Sequence, residues 1–308
     1  MMLRPRLRIP RVGLPQRSIL LQRSFHVPTL RQFSPEEGVP GLLSPGGFDT
    51  AWTQYMQFVI EKLNALTAGT EFEDQDPLSI LKATAREPST AAVFNYASMA
   101  HNNAFFFENL ANLQKTPGQP NDEGADGQSD RRENKRIPER LESELKRNFS
   151  SIETLRRELL VTAVSMFGPG FVWLVKNARN NDIRILTTYL AGTPYTTGHW
   201  RRQGVDMNTQ GMGSADTVRG WLERGQTGAG ADNGAKFMPQ TQTGPGGIDV
   251  IPLLCLNTWE HVWLRDYGVG AFGAGGKRLF VERWWNTIDW EKVEGMANLS
   301  YRSKFETR

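Results

Sequence analysis

Residues 250–261 read Val-Ile-Pro-Leu-Leu-Cys-Leu-Asn-Thr-Trp-Glu-His. The first seven residues of this stretch are apolar and mostly branched, so they predict a buried strand over 250–256. The residues that follow predict a helix near Glu260–Tyr267 and another over 278–287. The junction between the strand and the first of these helices carries Asn257, Glu260 and His261. These three polar side chains are the first candidates for a functional site.

Upstream of this stretch, helical patterns come before β patterns. Apolar residues recur at helical spacing over 48–66, and a second helix is predicted from Pro88-Ser89 to Leu110, so the two should form an antiparallel hairpin. The later elements are helices over 138–148 and 151–167, and a β-hairpin made of runs 171–176 and 183–188. A helical hairpin followed by a small three-stranded antiparallel sheet with flanking helices predicts the α+β class.

The remaining segments are distinguished by composition. Residues 1–33 are rich in Arg and lack acidic side chains, which is typical of a mitochondrial presequence, and Arg23-Ser24-Phe25 is a candidate processing neighbourhood. A disordered basic tail that binds a phosphate backbone is the alternative. The predicted organisation continues with a helical hairpin domain (40–113), a polar linker (114–137), an α/β domain (138–295) containing a Gly/Gln-rich insertion (198–248), and a tail (296–308).

Composition excludes several classes of function. Cys255 is the single cysteine, so the chain has no intrachain disulfide and no thiolate zinc cluster. Seven Arg and no acidic residues lie within residues 1–35, and taking them away turns the net charge of +3 into about −4 for the rest. A broad basic face for nucleic acid is therefore not implied. Residues 159–175 carry no charge, but Gly168-Pro169-Gly170 interrupts them, so we expect buried core and no membrane span.

Several segments, in this order, resemble the iron/manganese superoxide dismutase family. The resemblance covers roughly residues 40–295 without the linker and the insertion, and it implies that family's fold: a helical hairpin followed by an α/β domain. The matching segments are Asn64-Ala-Leu-Thr-Ala-Gly-Thr70, Phe94-Asn95 through Phe107, Phe167-Gly-Pro-Gly-Phe-Val-Trp-Leu-Val175, Ala191-Gly-Thr-Pro194, Trp259-Glu-His261 and Trp284–Trp290.

The resemblance also implies where a metal would be bound, and the residues at those positions differ from the family's. Active members hold the metal with three His and one Asp. The corresponding positions here are Ala51, Asn103, Asn257 and His261, so one imidazole remains beside neutral groups. We therefore expect no metal, no cofactor and no catalysis. The assisting Tyr and Gln of the family correspond to Val59 and Met99.

Three other polar residues have competing interpretations. His101 is expected to be packed or hydrogen-bonded, with a relocated metal site shared with His261 as the alternative. In the dismutases the Glu-His pair, Glu260 and His261 here, makes a reciprocal contact across a dimer. Trp259 and Glu260 could instead simply pack the turn between sheet and helix, and the sequence does not decide between these roles.

Mitochondrial small-subunit (37S) ribosomal proteins of this fold, of the fungal type, are similar in combining a presequence, a dismutase-like body and polar insertions. This resemblance implies a structural role in the matrix ribosome, contacts with other small-subunit proteins, and pairing with a second dismutase-like chain. Limited ribosomal RNA contact is expected at basic spots, with the 198–248 insertion as a docking element. The alternatives are a mitochondrial superoxide dismutase with atypical ligands and a free-standing assembly factor. The basic spots are Arg131, Arg132, Lys135, Arg136, Arg201 and Arg202.

Overall fold

The computed structural model describes residues 25–85, 87–112, 137–195 and 249–299. A long helix opens the fold and consists of α1 (Pro45–Phe48), a π-helical segment (Asp49–Gln54) and α2 (Tyr55–Thr67). Ser44 starts it, because its Oγ accepts the Gly47 N–H and Pro45 has no N–H to satisfy. The helix is longer at both ends than the predicted 48–66.

Two further helices complete the hairpin: α3 (Pro77–Thr84) and α4 (Ala91–Glu108). The predicted second helix corresponds to α4, which runs antiparallel to α2 and packs against it. The sequence prediction missed α3. Its signal is the pair Asp76-Pro77, since the Asp76 carboxylate accepts the N–H groups of the first turn. Ile80 and Leu81 on α3 pack with residues of α2 and α4 in a small apolar cluster.

The sheet has the predicted three antiparallel strands, in the order β2-β1-β3. They are β1 (Gly170–Asn177), β2 (Ile183–Tyr189) and β3 (Val250–Asn257). The central strand β1 is buried along nearly its whole length, which explains its continuous apolar sequence. Register places Phe171 opposite Asn257 and therefore sets the end of β3 against the start of β1.

Among the residues that the structure describes, five helices surround the sheet. α5 (Glu139–Phe149) and α6 (Ile152–Ser165) precede it, and α7 (Glu260–Tyr267), α8 (Gly276–Trp285) and α9 (Trp290–Ala297) follow it. The sequence prediction did not include α9. Asp289 caps its first turn, and the Lys176 ammonium on β1 donates to the carbonyl of Ala297 at its last residue. Ala297 is buried, so the folded body extends past the predicted domain end at 295.

The helical hairpin and the α/β domain share one apolar core that runs from Leu30 to Ala297. An isolated β-bridge between Leu110 and Ile288 joins the end of the hairpin to the last turn before α9. Residues 25–43 form a strap over the hairpin. The predicted presequence end at residue 33 falls inside this strap, while residues 1–24 lie outside the described residues. Within the described ranges, no helix is long and apolar enough to cross a membrane.

Candidate functional site

The fold brings together the four positions that the resemblance aligns with metal ligands. Ala51 lies in the π-helical segment and Asn103 on α4, so they come from the two long helices of the hairpin. Asn257 ends β3, and His261 lies in the first turn of α7. Each of Ala51, Asn103 and Asn257 has no exposed surface. The site therefore forms where the hairpin meets the end of the sheet.

Three of these positions are joined by hydrogen bonds, which we call the amide chain. The Trp259 N–H donates to Asn257 Oδ1 at 2.9 Å. Asn257 Nδ2 then donates to Asn103 Oδ1 at 2.9 Å, and Asn103 Nδ2 donates to the Ala51 carbonyl at 3.2 Å. A backbone N–H can only donate and a carbonyl can only accept, so the two ends fix which way both side-chain amides point.

The amide chain is suited to holding the two domains together and poorly suited to holding a transition metal. Both side-chain oxygens already accept a hydrogen bond within a site that is closed to water. A neutral amide oxygen is also a weaker ligand for iron or manganese than carboxylate or imidazole. Among the described residues, no group of three His, Cys, Asp or Glu side chains is placed to hold a metal ion. The residues present do not fit the metal that the fold family implies.

His261 lies beside the amide chain and is covered by an aromatic ring. Tyr55 stacks on it, with ring centroids 3.8 Å apart and planes 14° from parallel. Burial lowers the pKa of His261 to about 4, so the ring is neutral at physiological pH. Its Nε2 is sealed from solvent and has no hydrogen-bond partner in the described part of the chain. The ring as a whole is only partly buried, so its remaining exposure belongs to other atoms.

Tyr55 is the residue of this site that the sequence analysis missed. It follows Ala51 by four residues, which places the two on one face of the helix. The positions singled out instead, Val59 and Met99, are buried apolar side chains. Spacing from Ala51 was the available signal, but it gives no reason to expect that the ring would lie on His261.

His101 belongs to a separate cluster on α4, which confirms the prediction of a packed, hydrogen-bonded histidine. Its Nε2 lies 2.8 Å from the Tyr195 hydroxyl, and its ring contacts Phe105. Burial, with a smaller effect from Lys82, lowers the pKa of His101 to about 4. The same face of α4 holds the chain after β2, because Ser98 Oγ donates to the Ala191 carbonyl at 2.6 Å.

An exposed aromatic residue lies next to the strand-to-helix junction. Phe167, between α6 and β1, is 96% exposed. Its loop is fixed on both sides: Lys277 Nζ donates to the Met166 carbonyl at 2.6 Å, and Thr258 Oγ1 donates to the Gly170 carbonyl at 2.9 Å. Two hydrogen bonds thus hold a loop that presents a large apolar ring to solvent, and one of them comes from Thr258 at the junction that precedes Glu260 and His261.

The residues predicted to contact RNA lie outside the described residues. They fall in the 113–136 and 196–248 gaps, which also contain most of the predicted linker and the predicted insertion. Their role stays a prediction. The six residues are Arg131, Arg132, Lys135, Arg136, Arg201 and Arg202.

Comparison with known proteins agrees with this geometry. The family model for the C-terminal domain of iron/manganese superoxide dismutases matches residues 137–207 and 217–296. This match covers most of the α/β domain and shows that this part of the chain is related to that C-terminal domain. The matched residues contain strands β1 to β3, the helices α5 to α8, α9 up to Met296, and two positions of the site, Asn257 and His261. The predicted α+β dismutase-like fold is confirmed.

The chain is also similar to individual ribosomal proteins and to enzymes. The chain is 27% identical to the small ribosomal subunit protein mS43 of Schizosaccharomyces pombe, over 82% of this chain and 78% of the relative. It is 25% identical to the small ribosomal subunit protein mS42 of the same organism, over 70% and 71%. It is 26% identical to an iron superoxide dismutase of Helicobacter pylori, over 89% and 94%.

Proposed function

We propose that this chain is a structural component of the mitochondrial small ribosomal subunit and has no dismutase activity. The observation that carries the proposal is the amide chain, which places Asn103 and Asn257 where the resemblance calls for metal ligands. Similarity to two small-subunit ribosomal proteins supports the ribosomal role. A dismutase-like body without a metal can still bind other molecules through its surfaces. Both of these relatives are named as proteins of a small ribosomal subunit.

The loss of three ligand positions is part of this proposal. The Ala51 side chain has no atom that could bind a metal, and the Asn103 and Asn257 side chains are hydrogen-bonded to each other. His261 retains an imidazole, but Tyr55 covers one face of its ring. A redox metal needs several strong donors in a fixed geometry, and one histidine supplies a single bond.

Glu260 and His261 are proposed to contact a second chain of the same fold. Within the described residues the Glu260 carboxylate makes no hydrogen bond or ion pair, although its charge acts to raise the pKa of Lys277 against the larger, lowering effect of burial. Phe167 lies exposed on the fixed loop beside the same junction. A partly exposed carboxylate and imidazole next to an apolar ring suit a compact interface related by two-fold or pseudo-two-fold symmetry.

The mitochondrial matrix is the proposed compartment, with residues N-terminal to the strap acting as the presequence. Ribosomal RNA contacts are proposed for Arg131, Arg132, Lys135, Arg136, Arg201 and Arg202, and protein docking for the 198–248 insertion. Both rest on sequence: the first on paired basic residues, the second on high Gly and Gln content with few branched apolar side chains.

Sedimentation tests the ribosomal role. The full chain carrying a C-terminal tag is expressed in fungal cells, and mitochondrial lysate is separated on a gradient at moderate salt. The tagged protein should migrate with mature small subunits. Migration only with incomplete particles would indicate an assembly factor instead, and absence from all ribosomal fractions would refute the proposal.

Metal analysis distinguishes the structural role from the enzymatic alternative. The similarity to a bacterial iron superoxide dismutase is the observation that favours the enzymatic alternative. The protein is purified from cells grown with added iron and manganese, and metal content and superoxide dismutation are measured together. We expect far less than one metal per chain and no dismutation above background. One tightly bound iron or manganese per chain with activity would establish the enzyme.

A further inference from the structure

The strap begins with a backbone segment held by one side chain. The Phe25 N–H donates to Asn64 Oδ1 at 3.0 Å, and Asn64 Nδ2 donates back to the Phe25 carbonyl at 2.8 Å. Asn64 lies near the end of α2, so this pair of bonds attaches the strap to the longest element of the hairpin. The amide thus pairs with both polar groups of a single residue, as a neighbouring strand would.

The next residues of the strap enter the core. Leu30 and Phe33 are each only 7% exposed, and the Phe33 ring lies 6.2 Å from the Phe48 ring. Gln32 Nε2 donates to the Phe107 carbonyl at 3.3 Å, which attaches the strap to α4 as well. Residues 25–33 are therefore part of the folded body, although their composition resembles that of the presequence before them.

We propose that the presequence is removed no later than the Ser24–Phe25 bond, and that Asn64 holds the start of the mature body. This inference rests on the mitochondrial address proposed above. A processing protease hydrolyses one peptide bond with one water, leaving a carboxylate on the released segment and an α-ammonium on the new terminus. If Phe25 becomes that terminus, its ammonium can still donate to Asn64 Oδ1.

Cleavage further along the strap would damage the fold. A cut within residues 26–33 removes both hydrogen bonds to Asn64, and a cut after residue 33 also removes two side chains from the core. Either product would expose apolar surface on α1, α2 and α4 to water. Processing during import acts on an unfolded chain, so the fold cannot shield the cleaved peptide bond from the protease. The fold limits the cleavage position because only a mature chain that keeps the strap is stable.

The test maps the N-terminus of the full chain isolated from mitochondria, by labelling terminal amines and identifying the first peptide by mass spectrometry. We expect a terminus created by cleavage, with the mature chain beginning at or before Phe25. A mitochondrial protein beginning between residues 26 and 34 would overturn the boundary while leaving the mitochondrial role intact. An uncleaved chain found outside mitochondria would overturn both.

A pair of variants tests the role of Asn64. Asn64→Ala removes both bonds to Phe25, while Gln57→Ala makes a comparable truncation on the exposed side of the same helix. Under limited aminopeptidase digestion of the mature protein, Asn64→Ala should lose residues of the strap at least tenfold faster than the natural chain. Gln57→Ala should match the natural chain. Equal rates for the natural chain and Asn64→Ala would refute the role of this side chain.

Discussion

The substitution Asn257→Asp tests the amide chain directly. It restores the residue type of the dismutases and changes a single NH₂ group to an oxygen. That oxygen would lie 2.9 Å from Asn103 Oδ1, so two acceptors would face each other. Rotating the Asn103 amide only moves the conflict, because its oxygen would then face the Ala51 carbonyl 3.2 Å away. The side chain must remain unpaired or take up a proton.

The expected cost follows from burial. Asn257 has no exposed surface, and no cation lies among its hydrogen-bond partners. A buried carboxylate without compensation destabilises a protein by about 3–5 kcal/mol. Burial raises the pKa of such a carboxyl above its usual value of about 3.9. The folded variant therefore binds a proton more tightly than the unfolded one, and its deficit should be smallest in acid and grow as pH rises.

Urea unfolding at pH 7 and pH 5 measures this effect as the difference between Asn257→Asp and the natural chain at each pH. The matched control is Asn95→Asp, the same chemical change on the exposed face of α4, which should stay within about 0.5 kcal/mol of the natural chain. A deficit for Asn257→Asp below about 1 kcal/mol at pH 7, or one that does not shrink at pH 5, would refute the fixed direction of the amide chain.

Three further predictions concern other parts of the molecule. Burial lowers the pKa of both His101 and His261 to about 4, so below pH 6.5 the unfolded chain binds more protons than the folded chain. The free energy of unfolding should therefore fall as the pH is lowered from 6.5 towards 4, by at most about 1.4 kcal/mol per pH unit for each ring. Urea titrations of His101→Phe should show a shallower dependence on pH. Lys176→Met keeps the packing but leaves the Ala297 carbonyl unpaired, so unfolding should become about 1–3 kcal/mol easier, and unchanged stability would show that the bond contributes nothing. Phe167→Ser should reduce recovery of the paired species from mitochondria, as seen by native mass spectrometry, without lowering the melting temperature; an undiminished pair would place the interface elsewhere.

The elements with the clearest periodicity could be predicted from the sequence. The apolar runs of β1 and β3 are short and rich in branched or aromatic residues, which favours buried strands, and the helical spacing in α2 indicates one buried helix face. The short helices α3 and α9 escaped prediction because each is eight residues long and depends on capping by Asp76 or Asp289 and on tertiary packing. Local pattern is weak evidence for such helices.

The candidate site was only partly predictable. The resemblance indicated that Ala51, Asn103 and Asn257 occupy ligand positions of the family. The hydrogen bonds among these residues depend on how α4 and β3 are positioned in space. The stacking of Tyr55 on His261 is likewise a tertiary contact. In the strap, a composition typical of targeting continues into Leu30 and Phe33, which are buried in the core.

The directionality of the amide chain has a consequence for the history of such a site. Each hydrogen bond of the amide chain depends on the residues on either side of it. A carboxylate introduced at position 257 alone would face Asn103 Oδ1, and an imidazole introduced at position 103 alone would have to fit a space that is filled as far as the Ala51 backbone. Stepwise return to metal binding would thus pass through intermediates less stable than either end. If metal binding has been lost as proposed, further substitution at the remaining ligand positions carries no catalytic cost, and each such substitution makes a return to metal binding less accessible.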